Sequence, residues 1–135
     1  MTALTEDVSR GECTTPRQKF FPARALNQAG DPIVFFKGAI VCKRIGSKLV
    51  EIPEAAYPRT DLIPLGVCEC PIDMTGLSDG DRSVLVNPGL LRPFATGSSA
   101  NEITANHVGQ TWYMYDDATA YATDNGGTLS PGGNI

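Results

Sequence analysis

Residues 109–123, which read Gly109-Gln-Thr-Trp-Tyr-Met-Tyr-Asp-Asp-Ala-Thr-Ala-Tyr-Ala-Thr123, contain the clearest strand–turn–strand pattern in the chain. Side chains alternate between the two faces of a strand, so the four residues before the turn are predicted to point to opposite faces in turn. These residues are Trp112 and Met114 on one face, and Tyr113 and Tyr115 on the other. Asp116-Asp117 supplies the short side-chain acceptors that turns favour. The segment is therefore predicted to be a core hairpin closed by an Asp-Asp turn.

The rest of the chain consists of short apolar runs that are separated by turn signals. Fourteen glycines and ten prolines are scattered between these runs. The predicted strands cover residues 33–36, 39–42, 48–52, 63–68, 82–86 and 89–93, in addition to the hairpin. Regularly spaced short strands with turns between them predict an all-β fold, a small antiparallel β-sandwich or barrel. Only residues 101–107 favour a helical turn, with Asn101 as its N-cap.

The two ends of the chain lack this pattern. Residues 1–30 have neither strand nor helix periodicity and are predicted to form an extended N-terminal arm, while residues 31–135 form the β-domain. The arm contains the residues that we expect to contact a partner. They are Phe20 and Phe21 as apolar anchors, and Arg17, Lys19 and Arg24 as charge partners. At the other end, Gly126-Gly127 and Gly132-Gly133 are predicted to be turns or a tail.

The charge is distributed unevenly along the chain. A net charge of −4 argues against nucleic acid as the main partner. Residues 1–60 contain nine Lys/Arg and six Asp/Glu, whereas residues 61–135 contain two and nine. This uneven charge favours head-to-tail contacts between copies, or the binding of the basic arm to an acidic neighbour. The alternative is that the turns in the second half happen to contain acidic residues, without a role in binding. No run approaches the ~18 apolar residues of a membrane helix, and the polar N-terminus lacks a signal peptide, so no membrane partner is expected.

The reactive side chains do not form a recognisable site. Four cysteines, Cys13, Cys42, Cys68 and Cys70, lack the spacing of a zinc site and are predicted to be buried or half-buried free thiols. Cys68 and Cys70 are expected on the same face of one strand. No cofactor or metal site is predicted.

Catalysis is also not predicted, although one alternative stays open. His107 is the only histidine, and a surface or capping role is expected for it. The acidic pairs Asp79/Asp81 and Asp116-Asp117 lie at turns, where aspartate binds the backbone. The chain is therefore predicted not to be an enzyme. The alternative is a metal-dependent hydrolase that uses His107 with Asp116 or Asp117.

Four segments in order resemble the capsid cement (head decoration) proteins of tailed bacteriophages. They are Lys37-Gly-Ala-Ile-Val41, Ile63-Pro-Leu-Gly-Val67, Gly80-Asp-Arg-Ser-Val-Leu-Val86 followed by Gly89, and Val108-Gly109 through Asp117 to Thr119. The similarity spans about residues 33–123. Two features depart from the family pattern: some 30 residues precede the β-domain, and the final strand of the family is either missing or supplied by a neighbouring subunit.

The resemblance implies a non-enzymatic virion protein on the capsid exterior, made in the cytoplasm of the bacterial host. It would bind the major capsid protein and clamp neighbouring capsid subunits, and the family habit implies a homotrimer. The alternative function is a small β-barrel module that binds carbohydrate or a receptor and uses Trp112, Tyr113 and Tyr115 as stacking surfaces.

Overall fold

The computed structural model describes residue 4, residues 18–88 and residues 95–135, and these residues form mainly β-structure. The strands are β1 (Lys19–Pro22), β2 (Val34–Phe35), β3 (Ile40–Arg44), β4 (Val50–Glu51), β5 (Leu62–Cys68), β6 (Ile72–Asp73), β7 (Ser83–Asn87), β8 (Ala95–Thr96), β9 (Thr111–Met114), β10 (Thr119–Tyr121) and β11 (Ser130–Asn134). Two short 3-10 helices cover Ser99–Asn101 and Ala105–His107. The predicted all-β class is confirmed, and the strands of the described residues do not close into a barrel.

The largest sheet has five strands in the order β1-β7-β5-β3-β4, with every neighbouring pair antiparallel. Alternation along β7 turns Val84 and Val86 toward one side, where they join Val41 of β3 and Phe35 of β2 in the larger core cluster. The two-stranded sheet of β2 and β6 packs against this cluster through the half-buried Ile72 as well. These strands and the segment between them thus share the larger core.

The second sheet has four strands in the order β11-β9-β10-β8 and covers the other face of β3. Ile40 and Cys42 alternate with Val41, so they point away from the larger cluster and pack with Leu62 and with Met114 of β9. A strand that is covered on both faces has a continuous run of apolar residues in its sequence, and residues 39–42 are such a run. β3 is therefore the strand that joins the two cores.

Ser130 connects the two sheets through polar contacts. Its hydroxyl donates to the backbone oxygen of Arg59 at 2.7 Å and accepts from the backbone N–H of Leu62 at 3.0 Å. In addition, the N–H of Ile40 donates to the backbone oxygen of Asp117 at 2.8 Å. Because buried polar groups need partners, these bonds fix the position of the second sheet on β3 and β5.

Residues 18–30, predicted as part of an N-terminal arm, belong to the β-structure. β1 pairs with β7 in the register Phe20↔Leu85 and Phe21↔Val84. After β1 the chain continues into the core, since Ala23 is fully buried and Ala25 is 5% exposed. Ala23 also forms a parallel bridge with Val50 of β4, and this bridge brings the two edges of the five-stranded sheet together. The apolar pair Phe20-Phe21 stands between Lys19 and Pro22 without a period-two alternation, which is why the sequence pattern did not indicate a strand.

The C-terminal segment forms a strand, in contrast to the predicted turns or tail. β11 runs through Pro131, Gly132 and Gly133 and pairs antiparallel with β9. Proline and glycine are disfavoured inside strands, but they are tolerated at an edge and at a bulge, and β11 has both. It lies at the sheet edge, and its register shifts between Pro131 and Gly133. β11 is thus a strand of the second sheet that pairs with β9 of the same chain.

Three smaller expectations also differ from the structure. β8 and β10 pair in parallel, so the second sheet is not purely antiparallel. The long connection between them, through both 3-10 helices and β9, allows the chain to return in the same direction. Asn101 ends the first 3-10 helix instead of capping the predicted turn, and Thr104 is the N-cap of the second. The strand predicted over residues 89–93 lies outside the described residues.

Candidate contact surface

β1 lies at the edge of the five-stranded sheet and exposes one of its two phenylalanines. Phe21 points inward, where it is half-buried against the larger core cluster. Phe20 points to the opposite face and is 69% exposed. Exposure of a large aromatic ring to water is unfavourable, so a ring this open on an edge strand indicates a contact surface.

An apolar hollow lies beside β1 and extends toward the middle of the sheet. It encloses about 430 Å³ and is lined by Lys19, Phe21, Leu65, Val86 and Pro88. Among the described strands β1 pairs only with β7, so its other side is an edge of the sheet. The hollow lies on the face of β1 to which Phe21 points, whereas Phe20 lies on the opposite face. We call Phe20, the outer edge of β1 and this hollow the β1 surface, which offers apolar area on both faces of the strand and the cation of the exposed Lys19.

The other predicted arm residues have different positions. Arg24 points into the molecule, where its Nε lies 2.9 Å from Oε2 of Glu51, and its Nη2 donates to Ser47 Oγ at 3.3 Å. Its charge is therefore used within the chain. Lys19 and Phe20 are exposed, whereas Arg17 lies outside the described residues. The structure thus brings Lys19, Phe20 and Phe21 together and separates Arg24 from them.

The structure contains the hairpin predicted over residues 109–123, formed by β9 and β10 with Ala120 opposite Met114 and Tyr121 opposite Tyr113. Met114 is buried, and Trp112 is half-buried against the same smaller core cluster. The ring of Tyr115 stacks on the ring of Tyr121, with centroids 4.3 Å apart and an angle of 9° between the planes.

These contacts weigh against the use of the hairpin aromatics as a sugar-binding platform, which needs open ring faces. One face of Tyr115 is covered by Tyr121, and the indole of Trp112 lies against the backbone of Gly132. Tyr121 is itself 5% exposed. Its burial, its hydrogen bond to Tyr115 and the charge of Asp116 together raise the pKa of Tyr121 to about 12. The stacked pair therefore behaves as packed core.

The residues considered for catalysis have separate structural partners. His107 Nδ1 lies 2.9 Å from the backbone nitrogen of Thr104, which completes a capping box at the second 3-10 helix. Asp116 Oδ1 accepts from the N–H of Ala118 at 2.9 Å, and Asp117 Oδ1 accepts from the N–H of Leu4 at 2.7 Å. Both aspartates are buried; the Asp116 side chain bonds within the turn that closes the hairpin, whereas the Asp117 side chain binds the N-terminal segment at Leu4.

The second acidic pair binds backbone in the same way. Asp79 Oδ1 accepts from the N–H of Ala25 at 2.7 Å, and Asp81 Oδ2 accepts from the N–H of Ser78 at 2.8 Å. Over residues 18–88 and 95–135, no group of three or more His, Cys, Asp or Glu side chains is placed to hold a metal ion.

Cys42, Cys68 and Cys70 form no disulfide within the described part of the chain. Cys42 and Cys68 are buried, and burial raises the pKa of the Cys42 thiol well above its ordinary value. Cys70 is exposed, so the expectation that it shares a strand face with Cys68 is wrong: β5 ends at Cys68 and the chain bends there. Cys13 lies outside the described residues.

One buried ionic group was not predicted. The side chain of Glu51 is 5% exposed; its Oε2 accepts from Nε of Arg24 at 2.9 Å and its Oε1 accepts from Nε of Arg44 at 3.3 Å. Glu51 stands directly after Val50, which bridges Ala23, so the three charges hold the two edges of the large sheet together. The residues are far apart in sequence, and no local pattern indicates that they meet.

No protein-family model matches the chain, and neither the curated proteins nor the solved structures compared with it contain a match. In the part of the chain that the structure describes, no helix has the length and apolarity needed to span a membrane.

Proposed function

We propose that this chain is a capsid decoration protein of a tailed bacteriophage, which binds the outside of the head and stabilises contacts between major capsid subunits. The proposal rests mainly on the β1 surface. Phe20 is 69% exposed on one face of an edge strand, and an apolar hollow of about 430 Å³ lies on the other face of that strand. A surface of this kind is suited to protein contact, since it combines exposed apolar area with the edge of a sheet.

The proposal also includes the architecture and the assembly of the protein. We take the two main sheets to form a β-sandwich, with β3 between the two cores, and the protein to act as a homotrimer without enzymatic activity. The order of the four family-like segments supports this assignment, as does the use of His107, Asp116 and Asp117 in backbone hydrogen bonds. Several modest contacts then add up, because one head binds many copies at once.

The experiment is co-sedimentation of purified protein with expanded heads of the phage whose genome carries the coding sequence. The test variant is Phe20→Ser, which removes the exposed ring and leaves Phe21 in the core. The matched control is Val108→Ser, because Val108 is 71% exposed on a loop of the second sheet. We expect Phe20→Ser to lower occupancy on the heads at least ten-fold and Val108→Ser to leave it unchanged. Equal binding by both variants would contradict a role for the β1 surface.

A further inference from the structure

The hairpin between β3 and β4 presents positive charge around an exposed apolar side chain. We call Lys43, Arg44, Ile45 and Lys48 the basic hairpin. Ile45 is 68% exposed, and Lys48 is exposed beside it. The turn is well defined, since the N–H of Ser47 donates to the oxygen of Arg44 at 2.9 Å and the N–H of Ile45 donates to the oxygen of Asp61 at 2.8 Å.

The second sheet and its loops have the opposite charge. Residues 95–135 contain no lysine or arginine and four acidic residues. Two of these, Asp116 and Asp117, are buried, while Glu102 and Asp124 are exposed. We call Glu102 and Asp124 the acidic loops.

The acidic loops are held side by side by contacts that do not involve their carboxylates. The N–H of Ala122 donates to the backbone oxygen of Asn101 at 3.1 Å, and the hydroxyl of Thr123 bonds the side chain of Asn101. These bonds join Asn101, which precedes Glu102, to Ala122 and Thr123, which precede Asp124. The backbones of the two acidic loops are therefore adjacent, and both acidic residues are exposed.

Among the charged residues of the two surfaces, only Arg44 has an ionic partner within the described chain. No ion pair between described residues involves Lys43, Lys48, Glu102 or Asp124. Arg44 is bound to Glu51, so the two lysines supply the available charge. A basic surface on the first sheet and an acidic surface on the second are complementary between two copies of the same chain.

We propose that the basic hairpin of one copy docks on the acidic loops of a second copy, with Ile45 as the apolar centre of the contact. The partner is another copy because both complementary surfaces belong to this chain and because its charge is polarised between the two halves. Such a contact is heterologous, joining different surfaces of the two copies, and a rotation of one third of a turn between copies would close repeated contacts into a ring of three. The inference rests on the self-association that forms part of the proposed function.

The test compares self-association of charge variants by sedimentation velocity of the purified full-length protein, without capsids. Lys43→Glu/Lys48→Glu reverses the hairpin charge, and Glu102→Lys/Asp124→Lys reverses the loop charge. We expect each double variant to raise the dissociation constant by on the order of ten-fold or more, because like charges then face each other. The variant with all four changes restores complementarity and is expected to associate as the wild type does.

Three further measurements separate a specific charged contact from a change in folding. Lys48→Glu alone affects an exposed side chain and serves if the half-buried Lys43 does not tolerate glutamate. Arg82→Glu makes the same charge change at an exposed position elsewhere, and we expect it to leave association unchanged. Raising salt from 0.1 to 1 M shortens the screening length from about 10 to 3 Å and should weaken wild-type association.

The proposal would be overturned by a monomeric wild type, by unchanged association of the two double variants, or by failure of the fourfold variant to recover. Loss of capsid binding by the hairpin variants with unchanged self-association would also overturn it, and would leave the proposed capsid function intact.

Discussion

The indole ring of Trp112 lies against the backbone of Gly132 so closely that a Cβ atom at residue 132 would be 2.4 Å from Cη2 and Cζ3 of the ring. Only glycine leaves this space free. The contact lies in the β9–β11 pair, beside the register shift between Pro131 and Gly133. The ring thus covers the edge strand and at the same time packs on the smaller core cluster.

Gly132→Ala is expected to lower the free energy of unfolding by about 1–3 kcal/mol, because the added methyl group displaces the indole ring. Urea denaturation measures the change. In a Trp112→Leu background the same substitution should cost much less, since the clash is gone, and the double-mutant cycle should show clear non-additivity. An equal cost of Gly132→Ala in both backgrounds would mean that the ring is not the cause.

Glu51→Gln should be strongly destabilising, because it leaves the guanidinium groups of Arg24 and Arg44 without their shared carboxylate. Loss of one partner in a buried pair costs about 3–5 kcal/mol, and the two arginines are partly exposed, so we expect about 2–3 kcal/mol. The comparison is Asp61→Asn, which breaks the open Arg59–Asp61 pair and should cost less than about 1 kcal/mol. Thermal or urea unfolding of the two variants distinguishes them, and equal losses would contradict the structural role of Glu51.

Ser130→Ala removes the hydroxyl that connects the two sheets. The N–H of Leu62 and the oxygen of Arg59 each lose a hydrogen bond in a buried or half-buried position, at an expected cost of about 1–3 kcal/mol. Thr128→Ala is the control, because the Thr128 hydroxyl bonds an exposed backbone oxygen in a loop. Amide hydrogen exchange should in addition become faster at Leu62. If the Leu62 amide kept its protection, Ser130 would not be its partner.

The stability of the protein should depend on Tyr121 at alkaline pH. An unfolded tyrosine ionises near pH 10, whereas the folded-state pKa of Tyr121 is about 12. The folded-state pKa is raised, so this contribution is fully present below pH 10 and is lost as the pH rises from 10 to 12. Between pH 9 and 11 the wild type should lose on the order of 1 kcal/mol more unfolding free energy than Tyr121→Phe. Equal losses of unfolding free energy in the wild type and in Tyr121→Phe would mean that the Tyr121 hydroxyl is exposed to water in the folded protein.

Local patterns predicted the strands whose apolar residues alternate or form continuous runs. Residues 39–42 and 63–68 correspond closely to β3 and β5, and residues 109–123 to β9, β10 and their turn. These segments are strands because their own side chains fill the two cores. Their pattern is therefore visible without knowledge of the partner strand.

The strands that were not predicted depend on distant contacts. β1 is a strand because β7 pairs with it, and β11 is a strand because Trp112 of β9 covers its glycines. The Arg24–Glu51–Arg44 group likewise arises only when the sheet edges meet. In the β1 surface, Phe20 and Phe21 were predicted as anchors, but the hollow between Phe21 and Leu65 depends on the pairing of three strands and has no local signal.

The position of β1 in the sheet limits which changes can test the role of the N-terminal segment in binding. A deletion that extends to residue 24 would remove β1 and the buried Ala23, and it would therefore test folding instead of binding. Single changes at the β1 surface avoid this problem, because Phe20 is exposed while its neighbour Phe21 holds the strand on the core.

The most direct test of the proposed function is the binding isotherm of the purified wild-type protein on expanded heads of the phage whose genome carries its coding sequence. Unexpanded heads serve as the comparison. We predict saturable binding to the expanded heads with a fixed number of copies per head, a rise in the temperature at which the heads lose their DNA, and at least ten-fold weaker binding of Phe20→Ser. No saturable binding of the wild-type protein to those heads would contradict the assignment as a decoration protein.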